Sequence, residues 1–211
     1  MKINKRGMGV AAAATTGLIG AVGAGVWAMA PASVNSAISA AVSTPKAPCW
    51  AGSWEVTSAK TTVSDQGLSY TVTGGAGIKL KLSKVTKGAT ASFNFRKTKP
   101  QVGTGVVKGS PVAASLLLDG KLTITYVVGG DVKGKLALKQ KTGAGDATFA
   151  LTLGKSATSG PLTSQIAKNR EQGAIPRKGS FTCVKDTSLK IVTTGKSGTL
   201  LATTEWILKH S

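Results

Sequence analysis

Apolar residues recur at every second position through most of the chain, and this constrains the fold more than any other feature of the sequence. In Gly77-Ile78-Lys79-Leu80-Lys81-Leu82-Ser83, Ile78, Leu80 and Leu82 point one way and Lys79 and Lys81 the other, the pattern of a strand with one buried face. The alternation returns at Ala91, Phe93 and Phe95 against Ser92, Asn94 and Arg96, and at Leu122, Ile124, Tyr126 and Val128 against Thr123 and Thr125. It returns again at Val132, Gly134, Leu136 and Leu138 against Lys133, Lys135 and Lys139, and at Ala147, Phe149, Leu151 and Leu153 against Thr148, Ala150 and Thr152. Turn residues separate the runs: Asp65-Gln66-Gly67, Gly74-Gly75, Lys87-Gly88, Asp119-Gly120, Gly129-Gly130, Gly143-Ala144-Gly145 and Gly195-Lys196-Ser197-Gly198. Connections this short join antiparallel neighbours, so the sequence predicts an all-β barrel or sandwich.

One segment departs from period two. Pro161 opens LTSQIAKNREQG, where Leu162 and Ile166 stand four apart and Gly173 can end a helix, so one short helix is expected from Pro161 to about Gln172. Its role is to cover an open end of the β structure or to act as a lid. No repeat or long linker divides the chain, and one domain is expected over 49–210.

The first 40 residues read as an export leader. Lys2, Lys5 and Arg6 precede an uncharged, small-residue run from Val10 to Ala30, the order of a secretory signal peptide. Cleavage is expected between about residues 30 and 40, after Ala30-Pro31-Ala32 or after Ile38-Ser39-Ala40. A retained membrane anchor is the rival reading, but the run is diluted by Ala, Gly and Thr. Lys46 and Pro48 argue against lipidation of Cys49. An exported chain with two cysteines most simply carries one disulfide, Cys49 to Cys183, and a secreted, extracellular or cell-wall-associated protein is expected.

Tests for chemistry mostly fail. The one histidine, His210, stands next to the C-terminus, which removes an ordinary nucleophile–base arrangement and, with two cysteines, leaves no credible metal ligand set. Asp65, Asp119, Asp131 and Asp146 sit beside turn glycines, where aspartate serves local backbone bonding. Glu55 and Glu205 remain as a hydrolase's best carboxylates, and each neighbours a tryptophan that would turn it outward. The Gly154-Lys155-Ser156 and Gly195-Lys196-Ser197 triplets lack the first glycine of a phosphate loop. No catalytic residue and no cofactor is assigned.

Charge is the other strong signal. The net charge is +19, or +16 without the three basic residues of the leader, and lysines outnumber arginines 23 to 4. The lysines alternate along strands without interleaved aromatics, which argues against base stacking and arginine-fork readout of nucleic acid. They suit an anionic cell-wall polymer or membrane surface, or simply a self-repelling, solvated exterior.

Two places resemble a known family. Cys49-Trp50-Ala51-Gly52-Ser53-Trp54-Glu55 contains the Gly-x-Trp of a lipocalin first strand, and Gly179-Ser180-Phe181-Thr182-Cys183 followed by Glu205-Trp206-Ile207-Leu208-Lys209 resembles the end of such a chain. Together they resemble secreted actinobacterial lipocalin-like proteins of the calycin superfamily, most of which have no assigned activity. The resemblance implies an antiparallel up-and-down barrel closed at one end by Trp54 beneath a basic side chain of the last strand, here Lys209. Lys209 stands where the family has arginine, and the family's Thr-Asp-Tyr motif is missing. It also implies a small hydrophobic ligand inside, for which Leu80, Phe93, Phe95, Tyr126, Leu136, Phe149 and Leu151 are the candidate contacts. The competing expectation is a non-enzymatic, cationic envelope protein with a filled core.

Overall fold

A computed structural model describes residues 46–139, 143–168 and 173–211, apart from the side chain of Ser197. The expected leader, residues 169–172 of the expected helix and Glu171 lie outside the described residues. In chain order the elements are β1 (Gly52–Asp65), β2 (Leu68–Gly74), β3 (Lys79–Val85), β4 (Gly88–Asn94), β5 (Gln101–Val107), β6 (Ser110–Asp119), β7 (Lys121–Gly129), β8 (Lys133–Leu138), β9 (Ala144–Gly145), β10 (Thr148–Leu153), β11 (Ser156–Pro161), α1 (Leu162–Ala167), β12 (Lys178–Val184), β13 (Ser188–Ser197) and β14 (Leu200–His210).

Eight of these strands close an antiparallel barrel. Each of β1, β3, β4, β7, β8, β12, β13 and β14 pairs with the next, and β14 returns to β1. Around the barrel the strands follow chain order, so the up-and-down path expected from the sequence is present. What the sequence did not announce lies between them. At one end the connections β3–β4, β7–β8 and β12–β13 are short turns. At the other, β2 is inserted between β1 and β3, β5 and β6 between β4 and β7, and β9, β10, β11 and α1 between β8 and β12. The inserted strands other than β9, which pairs with β7, form a second sheet with the prolonged outer half of β1, in the order β1-β2-β5-β6-β10-β11.

A bulge lets β1 serve both bodies. The register against β14 shifts between Val56 and Ser58, so the buried set changes from Trp54 and Val56 to Ala59, Thr61 and Val63. An extra residue in one strand reverses which parity faces inward.

Inside the barrel, Leu80, Leu82, Ala91, Phe93, Leu122, Ile124, Tyr126, Phe181, Leu189, Ile191, Trp206 and Leu208 are buried, as their alternation requires. Phe93 stacks on Phe95 at 5.6 Å and meets the edge of Trp206 at 5.8 Å. Phe149 and Leu151 are buried too, but in the second sheet, where they oppose Leu118 and Leu116. Val132 breaks the expectation made for it: it is 51% exposed, because it belongs to the β7–β8 turn and only its carbonyl is engaged, by the Cys183 amide.

Tyr70, in the second sheet, is buried with its hydroxyl unpartnered, and burial pushes its ionisation upward. Removing a buried hydroxyl that lacks a partner removes a desolvation cost without losing a bond. Tyr70→Phe is therefore expected to melt at or slightly above the wild-type temperature in calorimetry; a clear drop would show that the hydroxyl is bonded in solution.

Candidate functional site

Both ends of the barrel are closed by the chain itself. At the short-turn end, the segment before β1 crosses the opening. Cys49 is disulfide-bonded to Cys183 of β12, with 6.1 Å between the Cα atoms, and its amide donates to Asp131 in the β7–β8 turn. Trp50 donates its indole N–H to the Gly130 carbonyl at 3.1 Å, and Trp54 donates to the Trp50 carbonyl at 2.9 Å. The cap is thus Trp50 over Trp54, a role not drawn from the sequence, although the Cys49-Trp50 adjacency contains it.

The expected partnership of Trp54 with Lys209 is corrected by the register. Trp54 stands opposite His210, and Lys209 stands opposite Glu55, so parity sends Lys209 to the outer wall, where its Nζ lies 3.9 Å from Glu55 Oε1. His210 takes the contact instead, edge-on to the Trp54 ring at 5.2 Å. Gly52 makes room for it: a Cβ there would lie 3.3 Å from His210 Nε2. His210 is part of β14, not a frayed tail, since its amide donates to the Thr187 carbonyl.

At the other end the stretch from Gly173 to Pro176 spans the mouth. The Gly173 carbonyl accepts from Thr204 Oγ1 at 3.0 Å and Thr61 Oγ1 at 3.4 Å, on β14 and β1. The Pro176 carbonyl accepts from the Tyr126 hydroxyl at 2.6 Å, on β7 across the barrel. Ala174 and Ile175 between them are buried. In helix α1 the buried Ile166 reaches the same spot at Gly143 as Leu122 and Ile124.

Leu80, Phe93, Tyr126 and Leu136 line one apolar cavity with Trp50, Pro176 and Phe181, and its volume is about 20 Å³. That is room for a water molecule or so, against the roughly 300–1,000 Å³ of ordinary ligand pockets. Of the other expected contacts, Phe95 packs behind Phe93, and Phe149 and Leu151 belong to the second sheet, so the seven residues do not meet around one space.

The carboxylates singled out for hydrolysis are engaged on the outer wall. Glu205 Oε1 lies 3.1 Å from Lys190 Nζ, and Glu55 faces Lys209. Among the described residues no group of three or more metal-ligating side chains converges.

Two depressions mark the outside of the barrel. One, of about 810 Å³, runs over β7, β8, β12 and β13, with Val127 and Ala137 in its floor and Lys135 and Lys178 at its sides. Gly179 lets two strands approach closely there, since a Cβ would fall 1.9 Å from the Val192 carbonyl oxygen. The other, of about 650 Å³, lies at the short-turn end with Lys46, Lys84 and Lys87 around Val85 and the same Val127. Sequence alternation placed Lys135 outside but could not show which lysines share a surface with it.

Comparison with protein-family models, with curated proteins and with solved structures finds no match to this chain.

Proposed function

We propose that the protein is a secreted, non-enzymatic, lipocalin-like barrel that attaches to anionic material of the cell envelope through its lysine-rich exterior, its interior serving as packed core. The observation that carries this reading is that, among the described residues, the inward-facing side chains of the barrel line an apolar cavity of only about 20 Å³, which leaves the excess charge as the outstanding chemical property of the molecule. The Cys49–Cys183 disulfide suits an oxidising, extracellular compartment. The described tryptophans, Trp50, Trp54 and Trp206, are all buried. This favours charge attraction over base stacking.

The test is binding of the mature protein to isolated cell-wall polymer as salt is raised. A linear polyanion engaging three lysines at about 0.7 per contact loses about a hundredfold in affinity over a tenfold rise in salt. Salt-insensitive retention would refute the reading. So would extra mass from an apolar molecule in native mass spectrometry, which would restore the small hydrophobic ligand and require the barrel to expand around it.

A further inference from the structure

Among the described residues, every strand of more than two residues has a paired neighbour on each side, with one exception. β11 pairs with β10 alone, so its other edge is open, and Ser156 to Ser159 are exposed. Natural proteins blunt an open edge with lysine, an internal proline, a bulge or a cover. β11 contains no lysine, and its one proline is its last residue, Pro161. Its register against β10 runs from Leu153↔Ser156 to Thr148↔Pro161 without a bulge.

Charge sets this side of the molecule apart. Seven of the eight barrel strands carry lysine, whereas β2, β5, β6, β10 and β11 together carry no lysine or arginine and a single acid, Asp119. Two copies of so cationic a chain repel one another through their barrel walls, and they approach at the lowest electrostatic cost through the second sheet. We propose that β11 is the seam of a homodimer, in which the β11 strands of two copies pair antiparallel about a two-fold axis and join the two second sheets into one.

Three features select a second copy as the occupant of this edge. A two-fold axis normal to the sheet sets each outward residue beside an outward residue of the image strand, and the outward residues here, Ala157 and Ser159 opposite Thr152 and Ala150, are small and uncharged. With the axis at Thr158, the Lys155 side chains of the two copies fall at opposite ends of the seam. That is about 20 Å apart at ~3.4 Å per residue, well beyond the Debye length of about 8 Å at physiological salt. A peptide of another protein would be selected by pockets for its alternate side chains, and Ala157, Thr158 and Ser159 are too small to build them. An anionic partner meets its counter-charges on the barrel wall, not on this sheet. A seam of six residues is short beside obligate interfaces, so the dimer exchanges with monomer.

The protein is followed by sedimentation velocity over a wide range of concentration, and by hydrogen exchange at the β11 amides. The dimer fraction is expected to rise with concentration and also with salt, because screening weakens the repulsion between two cationic bodies; polyanion binding responds to salt in the opposite sense. Exchange at residues 156–160 should slow as the dimer forms. Two charge-matched variants at exposed, outward positions complete the test: Ala157→Lys/Ser159→Lys at the edge, and Ser69→Lys/Thr104→Lys in the middle of the same sheet. In any register centred on residue 157, 158 or 159 the edge variant sets lysine opposite lysine, and its dimer affinity should fall about tenfold or more. The mid-sheet variant should dimerise within about threefold of the wild type, and both should melt close to it. A wild-type protein that stays monomeric at every concentration and salt would overturn the seam. Equal losses in the two variants would overturn it in favour of sheets stacked face to face. A dimer whose β11 amides exchange as fast as the monomer's would place the contact elsewhere and overturn it too.

Discussion

Trp206→Ala is expected to destabilise the fold by about 3–5 kcal/mol, the usual cost of truncating a large buried aromatic. Trp206 is 0% exposed. It sits on β14 between Ala59 of β1 and Ile191 of β13, with its ring against the edge of Phe93, so a void there cannot be filled by one neighbour moving. For a domain of this size the melting temperature should fall by roughly 6–20 °C. Among the described residues the indole N–H has no partner, so Trp206→Phe should cost markedly less than the alanine change. The alanine variant also serves as a control for the filled interior. An engineered apolar void takes up benzene, so benzene should raise the melting temperature of Trp206→Ala and leave the wild type unchanged. Equal stabilisation of both would show that the native barrel already has room for a guest.

Opening the disulfide is expected to have an effect of similar size. Cys49 and Cys183 close a loop with a sequence separation of 134, and chain entropy assigns a loop of that length about 5 kcal/mol. The Cys49→Ser/Cys183→Ser double variant should lose about 2–5 kcal/mol in urea denaturation. The local consequence is specific as well: the bond holds the Trp50 cap over the short-turn end, so Trp50 fluorescence should become more exposed to quenchers before global unfolding. A variant as stable as the wild type would mean that the Asp131 and Gly130 contacts hold the cap unaided.

The barrel strands were legible because one face of each is buried and the other wet, so Ile78-Leu80-Leu82 or Leu122-Ile124-Tyr126 declares itself in the alternation. Of the second sheet, only β10 declared itself, through Phe149 and Leu151. In β5, QVGTGVV, glycines occupy the inward positions 103 and 105, and β11, SATSGP, is almost wholly exposed; neither offers an apolar period to read. The site residues failed in a different way. Leu80, Phe93, Tyr126 and Leu136 were correctly placed on an inward face, but Phe149 and Leu151 are inward-facing in a different body, and alternation does not say which body a strand joins. Lys209 and His210 differ by one position, and only the register of β14 against β1 decides which of them faces Trp54. The short helix showed its start clearly, at Pro161, and α1 begins immediately after it.

The seam between β1 and β14 joins the first strand of the domain to the last, with Trp54 opposite His210. Contacts between residues so distant in sequence are slow to form, because most of the chain must be in place before they yield any stabilisation. A chain that emerges N-terminus first exposes β1 for the whole of its synthesis, with an unpaired edge until residues 200–210 arrive. Lysines on the strands that wait serve a purpose during that interval that they no longer serve once the barrel is shut: they keep one unfinished copy from adding its open edge to another. Loss of the final twelve residues, β14 with Ser211, would accordingly leave no smaller barrel, only an open sheet prone to self-association.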